Sequence, residues 1–87
     1  MERIKSSTDY YIRSVRRALA ILKGFSYDKK ERTLDEIAKS VKLSKSTAFR
    51  ILQNLKEEGF VTQHKERETY SLGPEIFRLG KVLDNPY

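Results

Sequence analysis

The feature that most constrains this chain is an interval of three residues. Val41, Lys42 and Leu43 are all that separate one amphipathic segment from the start signal of the next. Upstream, Thr33 to Glu36 has the form of a capping box, in which the Thr33 hydroxyl and the Glu36 carboxylate accept reciprocally from backbone N–H groups. Leu34, Ile37, Ala38 and Val41 then form an apolar stripe at helical spacing. Downstream, Ser44 is an N-cap residue type, and Ala48, Ile51, Leu52 and Leu55 have core spacing in a helix running to about Glu58. Gly59 suits the left-handed C′ position, and Phe60 falls where a Schellman motif makes an apolar contact, here with Leu55. Two helices joined by so short a turn cross steeply and present the second outward, as a helix-turn-helix. Ala38 is small where the helices approach, and Leu43 plugs the turn. Lys42 occupies a turn position that often needs φ > 0, which glycine takes without penalty. A lysine there implies local strain or a different turn.

The rest of the chain arranges itself around this pair. Residues 1–13 read as a polar arm, with Tyr10, Tyr11 and Ile12 expected to anchor its end on the core. A first helix is predicted from Ser14, as N-cap, to Phe25. Val15, Ala18, Leu19 and Leu22 form its core face, and Ile21 gives it a second apolar side. Residues 26–32 read as a loop. After Gly59, the segments Phe60 to His64 and Thr69 to Leu72 flank Lys65, Glu66, Arg67 and Glu68, a hairpin with a four-residue loop. Gly73 and Pro74 open a last helix with proline at the favoured N1 position. Ile76, Leu79, Gly80 and Leu83 share one face of it, widened by Phe77. The predicted fold is mainly α with a small β-hairpin: a winged helix-turn-helix with a three-helix core, a wing and a C-terminal linker helix.

Composition removes other classes. There is no cysteine and one histidine, His64, so neither a disulfide framework, a thiolate site nor a multi-histidine metal centre is expected. His64 reads as a surface residue at the base of the wing. No carboxylate pair, nucleophile–base set or glycine-rich phosphate loop stands out, so we expect no catalytic residue, no cofactor and no enzyme. No apolar run approaches the roughly 18 residues that span a bilayer, and the first residues lack the apolar region of a signal peptide. The expected location is the prokaryotic cytoplasm, at operators on the nucleoid. Eighteen basic residues against 12 acidic ones give a net charge of +6, the electrostatic footprint of a nucleic-acid binder.

Four blocks in order carry a resemblance: Ser14 to Leu22, Leu43 to Leu52, Glu58 to Val61, and Tyr70 to Pro74. With these, the sequence resembles the DNA-binding domain of IclR-type transcription regulators over about residues 14–80. The resemblance implies a dimeric repressor or activator domain, followed by a linker helix and a separate effector-sensing domain. No such effector domain lies within these 87 residues. The expected organisation is an arm at 1–13, a DNA-binding domain at 14–73 and a linker or dimerisation helix at 74–87. A small-molecule effector enters only if a further C-terminal domain exists.

The candidate DNA-binding residues are Arg17, Thr33, Lys42, Ser44, Lys45, Ser46, Thr47, Phe49, Arg50, Lys65 and Arg67. With Ala48, Ile51, Leu52 and Leu55 inward, Lys45, Ser46, Phe49, Arg50 and Gln53 point mostly outward. Arg50 is the candidate for direct readout, because its fork matches guanine O6 and N7. Lys45 is a point charge for the backbone, and Ser46 and Thr47 suit a base edge or a phosphate. The resemblance implies DNA contact for these α-helical positions and for Thr33, and phosphate for Arg17. Plainer readings stand beside these. Lys45, Ser46 and Arg50 also fit a solvated face, Thr33 is a helix cap first, and Phe49 either folds onto the core or meets a thymine methyl. The wing tip has two basic and two acidic residues and no glycine, which opposes contact through Lys65 and Arg67.

The expected partner is double-stranded DNA, read as a homodimer through helices 14–25 and 74–83, with no membrane partner. The alternative for the last helix is that Ile76, Leu79 and Leu83 close the domain's own core. The alternative for function is a winged-helix protein-interaction module.

Overall fold

The structure, a computed structural model, describes residues 10–83. Seven elements follow in order: α1 Arg13–Lys23, β1 Arg32–Thr33, α2 Leu34–Ser40, α3 Lys45–Glu57, β2 Val61–His64, β3 Thr69–Leu72 and α4 Pro74–Val82. Together they form a winged helix-turn-helix.

The two central helices start and stop on the local signals. Thr33 Oγ1 accepts from the Glu36 N–H at 3.1 Å, and Glu36 Oε1 accepts from the Thr33 N–H at 2.9 Å, completing the capping box. Ser44 caps α3 by accepting from the Thr47 N–H at 3.2 Å. At the end of α3, Gly59 has φ 84°. The Gly59 N–H reaches the Lys56 carbonyl at 3.0 Å and the Phe60 N–H reaches that of Leu55 at 2.8 Å, a full Schellman motif. The same pair of bonds ends α2, from Lys42 to Lys39 and from Leu43 to Ala38, with Lys42 at φ 59°. The turn therefore takes the left-handed geometry that glycine favours, with a lysine in it.

The core is built by Ile21, Phe25, Ile37, Leu52, Val61 and Tyr70, with Leu22, Leu34, Val41, Ile51 and Leu55 packed on it. Ala38 and Ala48, one on each helix of the motif, are also buried. Full burial of a side chain such as Ile37 or Leu52 contributes roughly 1.5–3 kcal/mol.

The first helix departs from expectation. It begins at Arg13 behind Ile12, with no side-chain cap, so Ser14 is helical rather than the N-cap. It ends before Phe25, whose ring turns back into the core. The buried face is Ile21, flanked by half-buried Ala18 and Leu22, while Val15 and Leu19 are each 51% exposed. Residues 18, 21, 22 and 25 match the i, i+3, i+4, i+7 template as well as 15, 18, 19 and 22 do. Packing selected the frame that buries Ile21 and Phe25. Tyr10, Tyr11 and Ile12 do not anchor on the core; all are exposed. Tyr11 instead lies under the Arg16 guanidinium, 3.9 Å from the ring centroid. The expected arm otherwise falls on residues outside those described.

The predicted loop 26–32 contains the start of a strand that the sequence did not announce. β1 pairs antiparallel with β3, giving a three-stranded sheet in the order β1-β3-β2. Two residues are too few to show any periodicity. The predicted hairpin is present, with Val61 opposite Leu72 and His64 opposite Thr69. Arg32 in β1 is 7% exposed, and its Nε and Nη1 have no hydrogen-bond partner among the described residues. Its guanidinium occupies the space that a side chain at Gly24 would fill.

Pro74 stands at N1 of α4 as predicted. The helix start is fixed to the α3–β2 turn by Gly73 N–H to Phe60 O at 2.8 Å and Glu75 N–H to Gly59 O at 3.0 Å. A Cβ at Gly73 would run into the Gly59 carbonyl, so this close approach requires glycine. No residue of α4 is buried, so Ile76, Leu79 and Leu83 do not close the domain's own core. Phe77, Leu79, Val82 and Leu83 remain exposed in the single chain.

Candidate nucleic-acid interface

The start of α3 is a set of donors facing solvent. The first N–H groups of any α-helix lack intrahelical acceptors. Here Ser44 satisfies that of Thr47, and the Ala48 N–H bonds to the Ser44 carbonyl at 3.0 Å. The N–H groups of Lys45 and Ser46 take no protein acceptor among the described residues. With the helix dipole, they favour an anion at this end. Ser44 Oγ also donates to Thr47 Oγ1 at 3.0 Å and lies 3.3 Å from Ser46 Oγ, so three hydroxyls gather at the same point.

Along α3, Ala48 and Leu52 are buried, whereas Ser44, Lys45, Ser46, Phe49 and Arg50 are exposed and Thr47 is half-buried. Phe49, at 42% exposure, does not fold into the core. Gln53 departs from its expected outward position: it is half-buried, with Oε1 enclosed and unbonded among the described residues. The Arg50 guanidinium takes no carboxylate partner among the described residues, and Asn54 Nδ2 donates to its carbonyl at 2.8 Å.

One depression joins three elements. Thr33 and Asp35 at the start of α2, Lys45 and Phe49 on α3, and Gln63, Lys65, Glu68 and Tyr70 of the wing line it together with Leu34. The fold thus brings Thr33, Lys45, Phe49 and Lys65 of the candidate set to one concave surface. Lys56 Nζ donates to Gln63 Oε1 at 2.9 Å and ties the far half of α3 to the wing. Arg17 is half-buried in a different groove, between α1 and the end of α2, with Tyr11, Arg13, Arg16, Ala20, Ser40 and Val41. Lys42 is exposed on the turn.

Two carboxylates modulate the basic residues, and the sequence reading singled out neither. Asp35 lies 3.3 Å from Lys39 Nζ and 3.7 Å from Lys45 Nζ. The hydrogen bond from Lys39, and the charges of both lysines, hold its carboxyl below the usual range. The Lys39 contact follows i,i+4 spacing and was visible in principle; the Lys45 contact depends on the helix crossing. Glu31 takes Arg67 in a two-point pair, Nε to Oε1 and Nη2 to Oε2, both at 2.9 Å. Thr69 Oγ1 also donates to Glu31 Oε1 at 2.8 Å. These hydrogen bonds, Arg67 first, hold the Glu31 carboxyl below its ordinary value. A separation of 36 residues gave no local signal for this pair.

His64 sits half-buried at the wing base, its Nε2 2.8 Å from Ser71 Oγ. Among the described residues there is no cluster of three His, Cys, Asp or Glu that could hold a metal, and no helix is long and apolar enough to cross a membrane.

Comparison with known proteins agrees with this geometry. The sequence pattern of the IclR helix-turn-helix domain matches residues 14–65. The glycerol operon regulatory protein of Streptomyces coelicolor is 42% identical over 69 residues, 79% of this chain and 27% of that protein. The transcriptional regulator KdgR of Escherichia coli is 38% identical over 75 residues, 85% of this chain and 28% of that protein. This chain therefore spans about a quarter of the length of the relatives it matches. The crystal structure of an IclR transcriptional regulator from Alicyclobacillus acidocaldarius superposes with a TM-score of 0.79 at 36% identity, covering 83% of this chain and 29% of that one. The capped helix pair, the short turn and the wing fit this match, and the chain belongs to the IclR family of transcriptional regulators, with that family's helix-turn-helix domain at residues 14–65.

Proposed function

We propose that this domain binds double-stranded DNA sequence-specifically as the reading unit of a transcription regulator, with α3 in the major groove and the wing near the backbone or minor groove. The observation that carries this is the exposed face of α3: Lys45, Ser46, Phe49 and Arg50 project from a helix whose opposite face, Ala48 and Leu52, is core. Arg50 reads a guanine edge, Ser46 and Thr47 take a base edge or a phosphate, and Phe49 meets a thymine methyl or a sugar. Arg17, Thr33, Lys42, Ser44, Lys45 and Lys65 position the backbone, which fixes register without carrying sequence information, whereas Arg67 is engaged by Glu31.

The functional unit is a homodimer. Its support is the apolar surface the single chain leaves uncovered, Val15 and Leu19 on α1 and Phe77, Leu79, Val82 and Leu83 on and after α4. Two copies read half-sites about 34–36 Å apart, or a multiple, on a near-palindrome. In this division, 14–73 reads DNA and the helix from residue 74 serves as linker and dimer contact. A small-molecule effector acts only through a further domain. The output is control of an operon by occupancy of its operator, in a prokaryotic cytoplasm.

Selection from random duplexes tests the reading. A near-palindromic enriched motif is expected, and recovery of unrelated sequences would sink the specific-reader assignment. A second reading, a protein-docking module, is favoured by the neutralisation of Arg67 by Glu31. Salt separates them: binding to DNA weakens steeply as counterion release is lost.

A further inference from the structure

The wing's arginine is already occupied. Arg67 presents its Nε and Nη2 edge to Glu31, which immediately precedes β1, with both contacts at 2.9 Å. Thr69, on β3, adds a third hydrogen bond to the same carboxylate. β1 pairs with β3 through Arg32 opposite Tyr70 and Thr33 opposite Thr69, so both residues of the pair flank adjoining strands. A guanidinium binds carboxylate and phosphate through the same two-pronged edge. A DNA phosphate and Glu31 therefore compete for one face of Arg67. Lys65 has no such partner among the described residues, so the carboxylate acts on one of the two wing cations and leaves the other available.

We propose that Glu31 is a specificity-determining residue of the DNA interface: it withholds Arg67 from the phosphate backbone and so lowers sequence-independent affinity relative to reading by α3. This rests on the DNA-binding reading above. Glu31 touches no base. It acts through Arg67 and is a positioning residue, fixing the wing against β1 while removing one phosphate contact from the interface. Binding to any duplex then depends less on charge and more on the face that carries Arg50.

The test is the salt dependence of binding by the 87-residue chain to its selected duplex and to a scrambled one, for the wild type, Glu31→Gln, Arg67→Gln, the double variant and Glu66→Gln. Glu66→Gln removes the same charge from the wing tip without releasing an arginine. Glu31→Gln is expected to tighten binding to the scrambled duplex and to steepen its slope of log K against log salt by about 0.9, the value of one added phosphate contact. The ratio of specific to non-specific affinity falls. Arg67→Gln leaves the wild-type slope unchanged, and the double variant matches Arg67→Gln. An unchanged slope for Glu31→Gln overturns the proposal. So does equal steepening by Glu66→Gln, or the loss of one contact by Arg67→Gln alone. Circular dichroism and thermal unfolding of each variant check that it is folded; the pair is exposed, and such pairs contribute little to stability. A folded wild-type chain that binds no duplex fails in a different way: it overturns the DNA-binding reading itself, and this inference with it.

Discussion

Lys42 shows how a single residue records a compromise. It closes α2 in the same hydrogen-bonded motif in which Gly59 closes α3, yet it carries a side chain at φ 59°. A left-handed L-residue costs roughly 1–2 kcal/mol, and glycine returns about 0.4–1 kcal/mol of that through its freer unfolded state. Lys42→Gly is therefore expected to stabilise the domain by about 0.5–1 kcal/mol, read from the denaturant midpoint, while removing a cation from the proposed DNA side. Arg32 is the opposite case, a buried cation with two unbonded nitrogens. Arg32→Met keeps most of the stem's packing and removes the unsatisfied donors, and is expected to raise stability by about 1–3 kcal/mol. A loss of stability on this substitution would mean that the guanidinium finds a partner in solution. On the reading face, Arg50→Ala is expected to lose about 1–3 kcal/mol of discrimination at one base pair. Lys45→Ala should instead weaken all sequences alike, a difference visible in competition titrations.

At the scale of elements, α1 shows where a repeating pattern has two solutions. The frame through Val15 and Leu19 and the frame through Ile21 and Phe25 both satisfy the helical template, and only the second is buried. Ile21→Ala is expected to cost about 2–5 kcal/mol. Leu19→Glu should change monomer stability by no more than about 0.5 kcal/mol, because its site is exposed. In the proposed dimer the same change dissociates the pair, so sedimentation should show a monomer that still melts normally. An unaltered dimer would move the interface away from α1. Salt bridges within helices and across the wing give a pH signature. The carboxyls of Glu31, Asp35 and Glu75 are held low by Arg67, Lys39 and Arg78 respectively. A carboxylate with a lowered folded value stabilises above its ordinary titration range, and that contribution disappears as pH falls through the lowered one. Melting temperature should therefore be flat near neutrality and decline below about pH 4. The Glu31→Gln variant should show a smaller decline.

At the scale of the whole molecule, charge and apolar surface are distributed unevenly. Met1 to Gly24 holds six basic residues against two acidic ones, whereas Leu34 to Glu58 holds five against four. The proposed reading unit is nearly neutral, and the segment before it in the chain carries more of the charge. Asp35 and Glu31 engage Lys45 and Arg67, so both the start of α3 and the wing present less free charge than their basic residues alone would. The described residues bury few large side chains, and in the proposed dimer the second copy covers apolar surface that they leave exposed. A melting temperature that rises with protein concentration is the expected mark of that association.

The amino-acid order alone determined the capped helix pair, the three-residue turn, the glycine stop after α3, the hairpin and the proline start of α4. Each is settled by hydrogen bonds between residues three to five apart, or by the alternation of a few neighbours, so it is legible in a short window. Tertiary structure decided the rest: which face of α1 is core, the pairing of β1 with β3, the outward setting of Phe49, and the capture of Arg67 by Glu31. These depend on which of several equally periodic surfaces meets a partner far along the chain. Helical spacing permits more than one answer there, and only packing distinguishes them, by burying the larger side chains and bringing opposite charges within hydrogen-bond reach.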